Sequence, residues 1–184
     1  MTTLLAYLEL GFRHIMDLGA LDHLLFLVAL AAPYRASDWR KLVAVASAFT
    51  VGHSITLAVA VSGVVRLPTA LIEFLIPVTI VIAAIRNLVG RTPGRFRFEP
   101  VIAGGFGLIH GAGFANYLTA LFDGPIGVPL LGFNLGLEAG QILIVAGVIA
   151  LFEAARSHLP RRQALISIGA GGWAVFMALD RLPW

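Results

Sequence analysis

The chain has 184 residues, of which 59% are hydrophobic and only 12% are charged, and its mean hydropathy is +0.91. Soluble domains carry about 25% charged residues, so this composition excludes an ordinary soluble domain and predicts one integral membrane domain over residues 1–184. The absence of cysteine excludes disulfides and thiolate metal sites. The net charge of +3 comes from arginines in short loops between apolar runs, which is typical of membrane topology and not of nucleic-acid binding.

The apolar runs predict an all-α, polytopic membrane helix bundle with six transmembrane helices. A span needs about 20 predominantly apolar residues. Six runs approach this length, at residues 17–33, 42–65, 68–89, 100–122, 128–153 and 164–179. Residues 1–12 contain no basic segment, and Glu9 interrupts their apolar run. We therefore expect a short N-terminal interfacial helix there, and not a signal peptide.

Lysine and arginine are unevenly distributed between the loops, and this predicts the orientation. The loops after the first, third and fifth runs hold three basic residues each, whereas the opposite side holds three in total. We expect the basic loops in the cytoplasm and both termini outside. The residues counted are Arg35, Arg40, Lys41, Arg91, Arg95, Arg97, Arg156, Arg161 and Arg162 on the inner side, and Arg13, Arg66 and Arg181 on the outer side.

Ionisable side chains interrupt several of these runs. Asp22 and His23 lie in the outer half of the first run. His53 and His110 lie near the middle of the second and fourth runs, and Glu138 lies within the fifth. Such side chains are costly in lipid and persist mostly where they face a protein interior, a water-filled cavity or an ion. The pattern predicts that they meet in a site loaded from the outside.

The residue types favour a divalent transition metal as the ligand. Neutral imidazole together with carboxylate suits nickel, cobalt, zinc or copper(II), whereas carboxylates and carbonyls alone would favour magnesium or calcium. Copper(I) is disfavoured, because the chain has no thiol and only three methionines. A carboxylate here either binds the metal or orients a ligating imidazole. The candidate ligands are His14, Asp22, His23, His53, His110 and Glu138.

The spacing of His14 and His23 raises a geometric condition. In a straight helix, nine residues turn by about 900° and rise by roughly 13 Å, so the two side chains would point to opposite sides. They share a site only if the chain bends between them, and Gly19 is the obvious place for the bend. Without a bend, His14 would lie at the mouth of the path, where Asp17 is a partner three residues away.

Two histidine segments resemble each other, since residues 49–54 and 106–111 both read Phe-x-x-x-His followed by a small residue. We expect both helices to present a histidine in a tight interface. Glycines spaced four residues apart around His110 and in the fifth run favour close helix packing. In that fifth run, Asn134, Glu138 and Gln141 share one helix face.

A purely structural role is the alternative for these polar residues. Histidine, asparagine and glutamine side chains in membranes often form hydrogen bonds between helices and hold a bundle together. For Glu138 the alternatives are a metal ligand, a proton carrier or a hydrogen-bonded structural acid. Glu73, about one turn into the third run, is either part of the path or simply solvated.

Four segments together resemble the HupE/UreJ family of bacterial membrane proteins, and the resemblance covers most of the chain. The segments are residues 14–27, which hold the Asp22-His23 pair, and residues 48–57, 106–115 and 131–141. The resemblance implies a nickel or cobalt permease of the bacterial inner membrane that supplies hydrogenase or urease. By the same resemblance, His14, Asp22 and His23 match the first family motif. His53, His110 and Glu138 match the later motifs.

These observations favour a permease for nickel or cobalt, with the metal as substrate and the lipid bilayer as its surroundings. No nucleotide-binding loop is present, so the driving force comes from gradients, the membrane potential or a partner. Two rivals stay open: a membrane hydrolase with a fixed zinc, for which Ser54 beside His53 is suggestive, and an accessory subunit of a larger complex. The sequence also leaves open whether the chain forms a homo-oligomer.

Overall fold

The structure is a computed structural model that describes residues 3–63, 68–89, 98–121, 125–154 and 161–183. These residues form α-helices, with no strand among them. The predicted all-α membrane helix bundle is therefore confirmed. The helices are α1 Thr3–Met16, α2 Leu21–Ala31, α3 Trp39–Val61 preceded by the 3₁₀ turn Ala36–Asp38, α4 Thr69–Leu88, α5 Glu99–Leu121, α6 Gly127–Ala154 and α7 Arg162–Asp180.

The helices match the predicted spans to different degrees. Within the described residues, four helices are long and apolar enough to cross a membrane, namely α3 with its 3₁₀ turn, α4, α6 and α7. The pair α1 and α2 meets the same criterion only when the two are taken as one bent span. Helix α5 occupies the fourth predicted span with 23 residues.

The predicted bounds of the first span, 17–33, were wrong. Helix α2 has 11 residues, or about 16 Å at 1.5 Å per residue, and the hydrocarbon core is about 30 Å thick. Helices α1 and α2 form an angle of 73° at a break of four residues, 17–20. The break is a hydrogen-bonded turn, in which the side chain of Asp17 accepts the Gly19 N–H at 2.8 Å.

Helix α1, for which the sequence predicts an interfacial helix, packs along α6. A Cβ atom added at Gly132 would contact Leu4, one at Gly136 would overlap Leu8, and one at Gly140 would overlap the end of α1. The contacts follow the same order in both helices, so α1 and α6 run in the same direction. The glycines of α6 therefore serve to admit the backbone of α1.

Helices α3 and α5 also run in the same direction and approach closely. A Cβ atom added at Gly107 would overlap the Phe49 carbonyl, and one at Gly111 would come within 2.5 Å of the His53 carbonyl oxygen. His53 and His110 are both fully buried in this region. The prediction that the two Phe-x-x-x-His segments present histidines in a tight interface is confirmed.

The outer surface of the helices is apolar, as a lipid environment requires. Large apolar side chains are widely exposed there, for example Val101 at 69%, Leu151 at 66% and Phe176 at 62%. The chain is therefore a membrane protein. Several residues used in the orientation prediction lie outside the described residues, namely Arg66, Arg91, Arg95, Arg97 and Arg156.

Candidate metal centre

Four helices bring four histidines together, and we call His14, His23, His53 and His110 the histidine cluster. The ring centroids of His14 and His23 are 4.8 Å apart, and those of His23 and His110 are 5.3 Å apart. His53 lies 6.4 Å from both His14 and His23. The bend at residues 17–20 makes this arrangement possible, because it returns α2 toward the end of α1. The structure thus meets the condition that the spacing of His14 and His23 sets for a shared site.

Most ring nitrogens of the cluster lack hydrogen-bond partners among the described residues. His53 and His110 are 0% exposed, and His23 is 6% exposed. Five buried ring nitrogens have no partner among the described residues: Nε2 of His14, Nε2 of His23, both nitrogens of His53 and Nδ1 of His110. A buried polar group left unpaired costs about 1–3 kcal/mol. Histidines that only held helices together would be hydrogen-bonded, so this pattern favours a ligand-binding role.

Neighbouring side chains set which nitrogen carries the lone pair in two of the rings. The Asp22 carboxylate accepts from Nδ1 of His23 at 3.1 Å, so the lone pair is on Nε2. Thr79 donates its proton to the Ile76 carbonyl at 2.7 Å and therefore accepts from Nε2 of His110 at 2.9 Å. The lone pair of His110 is then on Nδ1. Metal-binding histidines are commonly oriented by a carboxylate or another acceptor in this way.

A polar cavity of about 340 Å³ leads to the cluster. We call it the vestibule. It opens at the end of the bundle where α4 begins and α7 ends, which the charge distribution predicts to be the outside. In the vestibule, Nη1 of Arg181 lies 3.3 Å from Oδ2 of Asp22. The polar residues that line it are His14, Asp22, His23, Glu73, His110 and Arg181.

The histidines do not form a closed metal site in this conformation. Among the described residues, no three His, Asp or Glu side chains are placed to hold one ion together. Imidazole nitrogens bind an ion such as zinc at about 2.0–2.1 Å, which requires the free nitrogens to turn toward one point. Metal binding by these residues therefore stays a prediction.

The structure separates Glu138 from the histidine cluster. Its carboxylate accepts a hydrogen bond from Ser47 at 2.5 Å at the contact of α3 and α6, and it does not line the vestibule. Gln141, on the same face of α6, accepts from Thr50 at 3.0 Å. Asn134 Oδ1 is buried without a partner in the described part of the chain. Glu138 and Gln141 thus lie on one face of α6, as predicted, and both form hydrogen bonds to α3.

Sequence reasoning missed two residues that contact the cluster. Arg181 was counted only for topology, and nothing in the pattern pointed to a pair with Asp22. Thr79 is a single hydroxyl in an apolar run and carries no signal of its own. Ser54, which suggested hydrolysis, donates to the Thr50 carbonyl at 2.6 Å within its own helix. The structure thus shows no hydrogen bond between Ser54 and the adjacent His53.

Comparison with known proteins agrees with the motifs. A family model described as HupE / UreJ protein matches residues 1–180. The chain belongs to the HupE/UreJ family. No curated protein and no solved structure matches it. The HupE/UreJ family is associated with nickel and cobalt transport, which suggests a transporter rather than an enzyme.

Proposed function

We propose that this chain is a permease that carries nickel or cobalt into the cell, with the histidine cluster and Asp22 as its binding site. The observation that carries the proposal is the set of five buried ring nitrogens that have no partner among the described residues, three of them on histidines that line the vestibule. Their desolvation cost is offset when they bind a cation. The family supports transport of these metals, and imidazole with carboxylate is a ligand set that suits both.

The vestibule supplies the first step of the proposed path. Asp22 and Glu73 attract a divalent cation toward the buried rings. The cation competes with the guanidinium of Arg181 for Asp22 and exchanges water ligands for imidazole nitrogen. An inside-negative membrane potential favours inward movement of a divalent ion by about 4.6 kcal/mol per 100 mV.

The proposal includes the location and the role of the protein in the cell. We place it in the bacterial inner membrane with both termini outside, so that the vestibule faces the source of the metal. The metal is the substrate, and the consumers are metalloenzymes such as hydrogenase or urease. Homo-oligomer formation is not needed for this path, because one chain supplies all the residues of the cluster.

The test is uptake of radiolabelled nickel at low external concentration in cells that express the chain. The His23→Ala variant removes one ring of the cluster, and we expect its uptake to fall to the level of cells without the protein. His158→Ala is the matched control, because His158 is the one remaining histidine of the chain and the sequence places it among basic loop residues. Cobalt is measured in the same way.

Equal uptake by wild type and His23→Ala, with both proteins present in the membrane, would contradict the proposed site. Absence of nickel and cobalt uptake by the wild type would contradict the permease itself. In that case, a metal bound permanently to the purified protein would point to an enzyme, and stable co-purification with other proteins would point to an accessory subunit.

A further inference from the structure

Three phenylalanine rings pack against the histidine cluster, and we call Phe26, Phe49 and Phe106 the phenylalanine layer. The ring centroids of Phe26 and Phe49 are 4.8 Å apart, and those of Phe26 and Phe106 are 6.0 Å apart. Phe26 and Phe49 also lie 5.0 Å and 5.1 Å from the ring of His110. Both are only 1% exposed, so the layer is closely packed around Phe26.

A small polar pocket lies at the opposite end of the bundle from the vestibule, and we call it the inner pocket. Arg86 and Asn87, near the end of α4, line it, whereas Glu73, near the start of α4, lines the vestibule. Tyr34 and Glu99 also line the inner pocket, where the Tyr34 hydroxyl donates to the Glu99 carboxylate at 2.6 Å. Its volume is about 60 Å³. A water molecule needs about 10–15 Å³, so the pocket has room for an ion with part of its water.

The phenylalanine layer lies between the histidine cluster and the inner pocket. On each of α2, α3 and α5, a histidine, a phenylalanine and a residue of the inner pocket follow one another at intervals of three or four residues. Such intervals place the three side chains on one helix face, each about one turn beyond the last. The sets, in this order, are His23, Phe26 and Leu30; His53, Phe49 and Val45; and His110, Phe106 and Ile102.

The layer closes the direct route between the two polar regions. Ile80 of α4 is 0% exposed and belongs to the same buried hydrophobic core as Phe26 and Phe49. These side chains offer no oxygen or nitrogen atom to an ion, and the transfer of a charge into such surroundings is costly. Hydrophobic constrictions of this kind gate ion paths by excluding water.

From this arrangement we infer that the phenylalanine layer is the inner gate of the path, and that the metal leaves through the inner pocket when the gate opens. The inference rests on the proposed function and extends it to the inner half of the path. A cation that passes the layer meets the carboxylate of Glu99. Arg86 shares the inner pocket with Glu99, as Arg181 shares the vestibule with Asp22, so each end of the path pairs an acid with a competing cation.

Single cysteines show from which side each region is reached, since the chain has no native cysteine. Ile76→Cys places a thiol in the vestibule, and Ile102→Cys places one in the inner pocket. The probe is a small methanethiosulfonate reagent with a fixed positive charge, applied to right-side-out and to inside-out vesicles. We expect Ile76→Cys to react only from the outside and Ile102→Cys only from the inside. No reaction of Ile102→Cys from the inside would overturn the exit through the inner pocket.

Removal of a ring tests the gate itself. Phe26→Ala, combined with Ile76→Cys, should raise the rate of labelling from the inside about tenfold, because water enters the gap in the layer. Labelling of the same thiol from the outside should stay unchanged, which shows that the variant is folded. Phe49→Ala is the second variant and opens the layer from α3.

Two further variants are controls for the loss of the ring. Phe26→Met keeps a flexible apolar side chain in the layer and should keep the gate closed. Phe152→Ala removes a buried phenylalanine of α6 that lines neither the vestibule nor the inner pocket. It should leave the labelling from both sides unchanged.

The outcomes separate this inference from the proposed function. Rapid labelling of Ile76→Cys from the inside with all three rings intact would show that the layer closes nothing. Slow labelling from the inside in both Phe26→Ala and Phe49→Ala would place the barrier elsewhere. Either result overturns the gate, and the permease stands if nickel uptake still depends on His23. If the gate behaves as expected but the wild type moves neither nickel nor cobalt, the proposed function fails and the gate belongs to a path for another solute.

Discussion

Replacement of His53 by leucine should raise the stability of the protein and abolish its function. His53 is 0% exposed, and neither of its ring nitrogens has a partner in the described part of the chain. Leucine is close to histidine in size and has no polar atoms. His53→Leu should therefore stabilise the protein while it removes a ligand of the proposed metal site.

The structure sets the expected size of the stabilisation. Each buried polar group without a partner costs about 1–3 kcal/mol, and two ring nitrogens are relieved at once. Part of this gain is offset, because the ring stacks at 17° on Phe133 with a centroid distance of 6.2 Å. A net gain of about 2 kcal/mol corresponds to a rise of about 4–8 °C in the unfolding midpoint for a domain of this size.

Thermal unfolding of the purified protein in detergent, with and without nickel, measures both effects. Without nickel, the variant should unfold at the higher temperature. Nickel at a hundred times its dissociation constant should stabilise the wild type by about 2.7 kcal/mol and leave the variant unchanged. A variant that unfolds earlier than wild type and still responds to nickel would show that His53 is a structural residue, and would refute the reasoning.

Three further substitutions probe the surroundings of the cluster. Arg181→Gln removes the guanidinium that competes with the cation in the vestibule. The half-saturating nickel concentration for uptake should therefore fall about fivefold, the equivalent of about 1 kcal/mol. An unchanged or higher concentration would contradict the competition. Thr79→Val removes the acceptor that orients His110 and should weaken nickel binding about tenfold, whereas Thr79→Ser should restore the binding. An affinity of Thr79→Val equal to that of wild type would count against the orienting role. Gly136→Val should reduce the yield of folded protein through overlap with the α1 backbone, a cost of about 1–3 kcal/mol or more. Gly147→Val, at a position where an added Cβ atom meets no atom within 4 Å, should keep the yield, and equal yields for the two variants would contradict the close α1–α6 contact.

Composition and spacing were sufficient to predict the helices and part of the site. Apolar runs long enough to cross a membrane are typical of transmembrane helices. The repeated Phe-x-x-x-His pattern with its glycines indicated the close contact of α3 and α5, because only small residues let two backbones approach in this way. Helix geometry also showed that His14 and His23 can share a site only if the chain bends between them, and the structure has this bend.

The position of α1 could not be predicted from its own residues. A helix of 14 residues with Glu9 and Arg13 is too short and too polar to predict a buried partner. The regularly spaced glycines of α6 indicated that some backbone approaches there, but the identity of that backbone depends on the whole topology. The contact of α1 with α6 was therefore not predicted, because a local pattern does not contain the tertiary contacts of the helix.

The hydrogen-bond partners of the polar side chains could likewise not be predicted from the sequence. Glu138 was correctly placed on one face with Gln141, but its hydrogen bond to Ser47 joins residues that are 91 positions apart. Arg181 and Asp22 are 159 positions apart. Such pairs arise from packing, and a single sequence carries no signal for them. This is why the sequence grouped Glu138 with the histidines and the structure separates it from them.

The central claim is that this chain alone moves the metal through the histidine cluster. The most direct measurement is accumulation of radiolabelled nickel in liposomes that contain only the purified protein, under an inside-negative potential. We predict accumulation by the wild type that grows with the potential, and none by His53→Leu. Equal nickel content in liposomes with wild-type protein and liposomes without protein would contradict the account.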